Sequence, residues 1–408
     1  MLNHFLRKFV RRGRLTVVYA DGSRQTFGDR LEGAPEVSVR LIDESIPFKL
    51  ALWPDLYLGE AYVQGRLVFE RGSLWDLLDL CGRNIELHFR PGANLLRRII
   101  GAAGRRLQQA NTIGAARSNV AYHYDLSLEL YRRFLDEDLQ YSCAYFADDN
   151  LPLDEAQRGK KRHIIDKLLL EPGQTVLDIG CGWGGLAISM AQAERVKVLG
   201  ITLSAEQLRV ARQRAAEAGV LDRVTFDLCD YRLINGRFDR IVSVGMFEHV
   251  GAPHYRDFFG QIQRLMPEHG LALLHSIGRA HGPDVTSAWV RKYIFPGGYI
   301  PALSEVLPPI EQAGLWLTDL EVLRLHYAKT LRAWRERFLA QADELGPPYD
   351  GRFKRMWEFY LAVSEMSFRY AGLMVFQAQL ANRVDAVPIR RDYMSSVCAG
   401  DARRIAAE

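Results

Sequence analysis

The sequence predicts an α/β fold: an open, mostly parallel sheet with helices on both faces, preceded by a small α+β unit. Two observations carry this. Between residues 175 and 278, short runs rich in Val, Ile and Leu alternate with helix-length segments, the pattern of successive βα units. The first of those runs also ends in a glycine-rich loop, Gly180-Cys181-Gly182-Trp183-Gly184-Gly185, a composition that lets a chain turn sharply from strand to helix.

The elements follow in order. In LTVVYADGSRQTF two apolar runs flank Asp21-Gly22, a hairpin-turn signal. VSVRLID at 37–43 alternates like a half-buried strand, and SLWDLLDLC at 73–81 has helical periodicity. Residues 91–120 are rich in Gly, Ala and Arg and read as a connector. TVLDIG (175–180) is a buried strand and LAISMAQAE (186–194) a helix. KVLGITL (197–203) is the next strand, and AEQLRVARQRAAEAG (205–219) a helix closed by Gly219. VTFDLCD (224–230), FDRIVSVG (238–245) and LALLHSIG (271–278) are further strands, with the helix YRDFFGQIQRLM (255–266) before the last. The tail from about 329 to 384 reads as mainly helical and aromatic, a candidate cap. The resulting division is an N-terminal domain over 1–92, a basic connector over 93–120 and a main domain over 121–408.

Length and composition narrow the function. A chain of 408 residues accommodates two domains or three. It has no apolar run of about 18 residues or more, so no spanning helix is expected. Charges interrupt the start, MLNHFLRKFVRRGR, as they would not in a signal peptide. Five widely spaced cysteines without a CxxC argue against a disulfide framework or a zinc site and for a reducing cytoplasm. A net charge of +4 is too small to argue for nucleic acid. The charge is local instead. Arg7, Lys8, Arg11, Arg12 and Arg14 accompany Leu2, Phe5, Leu6 and Phe9 at helical spacing. Residues 94–110 repeat the theme with Arg97, Arg98, Arg105 and Arg106. A basic amphipathic helix suits an anionic lipid surface; packed on the protein with its charges solvated, it is merely structural.

The glycine loop is the sharpest local signal. A dinucleotide site calls for G-x-G-x-x-G with an acid about 20 residues on. Here the acid, Asp178, precedes the first glycine, and the second strand ends in Gly-Ile-Thr-Leu-Ser with none. Ribose recognition of the NAD type is disfavoured, and binding still belongs beyond the strand ends.

The segment resembles the first motif of the S-adenosylmethionine-dependent methyltransferases. HYDLSLELYRRFLDEDLQYSCAYF (123–146), GITLSAEQ (200–207), SVGMFEHVG (243–251), HSIG (275–278) and KYIFPGGYIP (292–301) follow in order. Together they resemble the cyclopropane-fatty-acyl-phospholipid synthase family, which includes the mycolic acid cyclopropane synthases, over about residues 115–384. The N-terminal unit is similar to that of full-length bacterial members. The resemblance implies a Rossmann-like class I methyltransferase domain with a helical cap over 121–408. It also implies a lipid-binding or dimerisation role for the N-terminal domain.

By that resemblance Gly180 and Gly182 approach the methionine part of S-adenosylmethionine, with Asp178 supporting the loop. Thr202, Leu203 and Gln207 meet the ribose and adenine side, Asp230 and Tyr231 flank the adenine, and Tyr124, Tyr141 and Ser142 close over the cofactor. Family members hold a bicarbonate ion as base; the matching residues are Cys143, Glu248, His275, the Ile277 backbone and Tyr327, the last through HYAKTLRAW (326–334). Glu248 suits an anion if it accepts from a protonated oxygen or orients His275. Each residue also has a plain reading: Cys143 as a small buried hydrophobe, His275 as a core histidine, Glu248-His249 as a pair without a metal-ligand cluster. Ser127-Leu128 departs from the small polar pair of many members.

The implied chemistry is methylene transfer to the cis double bond of a phospholipid acyl chain. An alkene attacks a sulfonium methyl, a carbocation forms, and loss of a proton closes the ring. Aromatic faces stabilise cations without attacking them; Tyr145, Phe146, Phe247, Tyr293, Phe295 and Tyr299 are candidates. The expected partner is an unsaturated phospholipid in the inner face of a membrane, with a homodimer as a further candidate assembly. A methylene- or methyl-branched product and a non-catalytic lipid-binding protein are the alternatives.

Overall fold

The computed structural model describes residues 1–88 and 127–395. The chain forms two compact units: Met1–Ile99 with Val285–Pro296 and Leu331–Leu373, and Ile100–Asp284 with Gly297–Thr330 and Met374–Glu408. The basic segment 94–110 and the whole connector lie outside the described residues.

In the first unit, β1 (Arg14–Val18), β2 (Arg24–Phe27), β3 (Glu36–Leu41) and β4 (Leu67–Arg71) form a sheet in the order β2-β1-β3-β4. The hairpin expected at Asp21-Gly22 joins β1 and β2, which pair antiparallel from Leu15↔Phe27 to Val18↔Arg24. The basic amphipathic helix is Leu2–Phe9; Leu2 and Leu6 are buried in the unit, and Phe5 stacks on Phe9 at 5.3 Å. Its apolar seam is thus largely used for packing, and its cations face outward.

The tail departs from expectation. Its helices, His326–Gln341 and Gly351–Tyr370, fall from Leu331 onward in the first unit, with the helix Ala288–Tyr293. Side chains explain the grouping. Phe359 packs edge-on to Trp289 at 4.6 Å, Tyr62 donates to Glu358 at 2.5 Å, and Arg335 and Arg369 lie over the Trp75 ring. A boundary drawn only along the sequence, at 92, misses these later segments.

The second unit holds a seven-stranded sheet, comprising β5 (Thr175–Ile179), β6 (Lys197–Thr202), β7 (Val224–Leu228), β8 (Arg240–Val244), β9 (Leu271–Arg279), β10 (Trp316–Val322) and β11 (Leu373–Ala381). The order is β10-β11-β9-β8-β5-β6-β7. β5 pairs parallel with both β6 and β8, and β10 pairs antiparallel with β11. This is the Rossmann-like class I arrangement. Two apolar clusters pack on the sheet, one around Phe247, Phe258 and Phe259, the other around Ile164, Met190 and Ala211. The tail expected to be mainly helical from about 329 to 384 does not stay so: its last helix ends at Tyr370, and 373–381 is strand. β11 is buried on both faces, so its sequence shows no alternation to distinguish it from helix.

The chain leaves β5 toward β6 and β7, then returns to the other side of β5 at β8. That reversal opens a crevice beyond the carboxyl ends of the strands.

Candidate active site

The crevice is a cavity built from residues distant in sequence. Gly180 and Gly182 take left-handed backbone conformations, φ +84° and +54°. A Cβ on Gly180 would lie 2.9 Å from the Met246 side chain, whereas one on Gly182 would meet nothing within 4 Å. The loop is pinned to β6, since the Gly180 and Cys181 N–H groups both donate to the Ile201 carbonyl. Thr202 donates to Gln207 Oε1 at 2.9 Å, and Ser204 caps the following helix by accepting from the Gln207 N–H. Asp230 accepts from the Arg232 N–H at 3.0 Å and pairs with the Arg232 guanidinium, which fixes the turn carrying Tyr231. Leu139 to Ser142 form another wall.

Tyr141, Ser142, Asp178, Gly180, Gly182, Thr202, Leu203, Gln207, Asp230 and Tyr231 all line this one cavity. Tyr124 lies outside the described residues. Gln140, Trp183, Met246 and Val250 also line it and were not singled out from the sequence; their only signal is that each lies inside one of the matched segments.

Asp178 is buried at the end of β5, and its Oδ2 has no hydrogen-bond partner. Burial pushes its carboxyl up to about 7, against the pull of the Lys160 ammonium. An orphaned buried carboxylate oxygen in a cavity awaits a donor. The open Gly182 cradle and this acceptor fit a cofactor that carries an ammonium group.

None of the members of the second set lines that cavity. Glu248 is buried; its Oε1 accepts from the Ile277 N–H at 2.6 Å while its Oε2 has no partner. Burial pushes this carboxyl up to about 7. Glu248 therefore holds Ile277 and does not orient His275. Gln377, which the sequence reading passed over, holds His275 instead, with Nε2 3.1 Å from the ring Nδ1. Burial, reinforced by Lys160 and Lys167, lowers His275 to about 3, so the ring is neutral. Cys143 and Tyr327 are both buried, and burial raises the Cys143 thiol. Their segments are joined where the Ala144 N–H donates to Thr330 Oγ1 at 3.0 Å. A protonatable Glu248 and a neutral histidine carry donors of the kind a small anion accepts from, while the Ile277 N–H is already engaged by Glu248.

The aromatic candidates of the second unit have separate partners. Phe247 stacks on Tyr255 at 4.3 Å inside the core, and the Tyr299 hydroxyl donates to Glu305. Tyr145 stacks between His163 and His326. Tyr293 and Phe295 belong to the first unit. Ser127 has a local task, its Oγ accepting from the Leu130 N–H to cap the helix Leu128–Phe134. Among the described residues no group of three or more His, Cys, Asp or Glu side chains could hold a metal ion.

The fold and the glycine-loop cavity define an S-adenosylmethionine-dependent methyltransferase. The family model for mycolic acid cyclopropane synthetase matches residues 112–378. The chain belongs to that family. It is 38% identical over 362 residues to the cyclopropane-fatty-acyl-phospholipid synthase of Escherichia coli K12, covering 88% of this chain and 91% of the relative. It is 36% identical over 388 residues to the tuberculostearic acid methyltransferase UfaA1 of Mycobacterium tuberculosis, covering 92% and 89%. Among solved structures, the mycolic acid cyclopropane synthase CmaA1 complexed with SAH and CTAB superposes with a TM-score of 0.61 at 34% identity, covering 65% of this chain and 97% of that one.

Proposed function

We propose that this chain transfers a methylene from S-adenosylmethionine to the cis double bond of an unsaturated phospholipid acyl chain and closes a cyclopropane ring. One observation carries the reading. The similarity to a protein named cyclopropane-fatty-acyl-phospholipid synthase runs over 88% of the chain, well beyond the methyltransferase sheet. The cofactor supplies an electrophilic methyl group when bound; bicarbonate supplies a base for the proton that leaves as the ring closes. Gly180, Gly182 and Asp178 would hold the methionine part, and Thr202, Leu203, Gln207, Asp230 and Tyr231 the nucleoside part, with Tyr141, Ser142 and Tyr124 closing over it. Cys143, Glu248, His275, the Ile277 N–H and Tyr327 would hold bicarbonate. Glu248, pushed up to about 7, can donate to an anion rather than repel it. The burial of this set excludes water from a cation that water would quench.

The lipid is reached at a membrane surface. Among the described residues no helix is long and apolar enough to cross a membrane. Phe48, Leu52 and Trp53 are exposed by 59%, 64% and 47%, and Lys49 lies between them in sequence. They lie on and just beyond the helix Ile46–Leu52, which packs against the basic helix Leu2–Phe9. Apolar anchors among cations suit an anionic surface. The first unit also contains a partly open apolar cavity of about 350 Å³ lined by Leu6, Leu15, Val39, Leu77 and Met366, which supports a lipid-binding role for the N-terminal domain. A homodimer is compatible with this arrangement.

The match to a relative named as a methyltransferase, at 36% identity, supports a second reading in which the product is methylene- or methyl-branched. The test incubates the purified chain with labelled S-adenosylmethionine and vesicles of an unsaturated anionic phospholipid, followed by proton NMR of the extracted lipid. Upfield ring-methylene protons are expected. Olefinic methylene or branched-methyl signals would replace the first reading by the second, and no transfer to any lipid would overturn both.

A further inference from the structure

Leu139 to Ser142 form a wall of the cofactor cavity, and the helix Leu153–Leu168 holds them in place. Two of its side chains, Gln157 and Lys160, lie three residues apart on one face and have no exposed surface. Gln157 Nε2 donates to the carbonyls of Gln140 (3.1 Å) and Ser142 (3.0 Å). Lys160 Nζ donates to Gln140 Oε1 (2.5 Å) and Ser142 Oγ (2.8 Å). The same pair thus grips both the backbone and the side chains of residues 140 and 142.

The segment is also tied to the glycine loop. Asp138 accepts from Lys161 at 2.5 Å and pairs with Arg214, whose Nη1 donates to the Trp183 carbonyl at 2.8 Å. The strap therefore runs from the helix Leu153–Leu168 to the loop that approaches the cofactor.

Lys160 is a poor choice for stability alone. Lysines are seldom fully buried, and a buried cation carries a desolvation penalty that its two neutral oxygen acceptors and the nearby carboxylates of Asp136 and Asp138 offset only in part. An apolar side chain would serve the packing more simply. The cation is useful where both of its acceptors must be held against a ligand cavity.

We propose that Gln157 and Lys160 are positioning residues of the cofactor site, clamping Gln140–Ser142 in the pose in which Tyr141 and Ser142 meet S-adenosylmethionine. This rests on the reading that those two residues contact the cofactor. It predicts that cofactor affinity and intrinsic stability respond in opposite directions when the buried cation is removed.

The test measures SAH binding by calorimetry, with KM for S-adenosylmethionine, kcat and Tm without ligand, for the full chain and for Lys160→Met, Gln157→Leu and the double variant. Each single variant is expected to weaken SAH binding about tenfold or more and to raise KM in parallel, with a smaller fall in kcat. The double variant is expected to fall short of the product of the two losses, because both act through one strap. Lys160→Met should keep or raise the ligand-free Tm. SAH binding within twofold of the parent chain in both single variants overturns the proposal, as does a loss of affinity that only follows a falling Tm. If Lys160→Met does not fold, Gln157→Leu decides by the same affinity criterion. A parent chain that binds no SAH overturns the cofactor reading itself, a result distinct from equal binding by parent and variants.

Discussion

Gln377 on β11 places its Nε2 3.1 Å from Nδ1 of His275 on β9, and both side chains are buried. An amide nitrogen only donates, so Nδ1 is the acceptor and the ring proton sits on Nε2. Burial, with the nearby ammoniums of Lys160 and Lys167, holds His275 down at about 3. The histidine is thus a neutral donor with a fixed tautomer. ¹⁵N NMR of the ligand-free protein should show the Nε2–H tautomer of His275 unchanged from pH 5 to 9; a titration midpoint near neutrality contradicts it. Gln377→Leu should lower kcat by about 10- to 100-fold, the effect of roughly 1–3 kcal/mol from a lost buried hydrogen bond, and leave SAH affinity unchanged. Gln377→Glu should move the ring proton to Nδ1.

Asp178 has an orphaned Oδ2 and a carboxyl raised by burial to about 7. The folded state therefore binds this proton more tightly than the unfolded chain does. The stability it contributes is fully present below the unfolded pKa and is lost as pH rises through about 7. Asp178→Asn should stabilise the ligand-free protein at pH 8 by on the order of 4 kcal/mol before relaxation, read as a raised Tm, and leave the Tm nearly unchanged at pH 4. The same variant should weaken SAH binding about 10- to 100-fold, because the cofactor loses a charged acceptor. Equal Tm values at pH 8 would show that Asp178 does not carry this penalty.

Much of this arrangement was legible because its signals are local. The strand–glycine–helix pattern at 175–194 and the turn after Thr202 depend on neighbours in sequence, so the residues they place in the cavity followed from the motifs. Gln377 and His275 are 102 residues apart, and neither shows a pattern that points to the other. Lys160 sits on a helix whose apolar periodicity gives no sign that a cation is buried among it. β11 was misread because a strand buried on both faces lacks alternation. The first unit was truncated because Trp289 and Phe359 join it from far along the chain.

Glu248 joins the Ile277 N–H through Oε1 and leaves Oε2 without a partner. Its carboxyl, raised to about 7, is protonated below that pH and ionised above it. A neutral acid can share a site with an anion, whereas a carboxylate repels it. The kcat–pH profile should therefore fall on the alkaline side of about pH 7 through this group. Glu248→Gln keeps an acceptor for Ile277 and a donor in place of the acid, so its alkaline limb should flatten. Glu248→Ala should lose about 100-fold or more. An identical alkaline limb in the glutamine variant excludes Glu248 as its source.

Phe48, Leu52 and Trp53 expose large apolar surfaces in one short stretch. Such anchors gain free energy only when they leave water, at about 25 cal/mol per Å² of apolar surface, and the cations of Lys49, Arg7 and Lys8 add a screened attraction to anionic lipid. The two contributions are separable. Raising the salt concentration should weaken binding to vesicles of an anionic phospholipid without abolishing it. Replacing Phe48, Leu52 and Trp53 together by Ser should weaken binding at every salt concentration, by tenfold or more, and leave SAH affinity and Tm near those of the parent chain, because these side chains pack little within their unit. Tryptophan emission should shift to shorter wavelength on vesicle addition in the parent chain, and a Trp53→Phe variant should lose most of that shift. Vesicle binding by the triple variant equal to the parent's would place the docking surface elsewhere on the molecule.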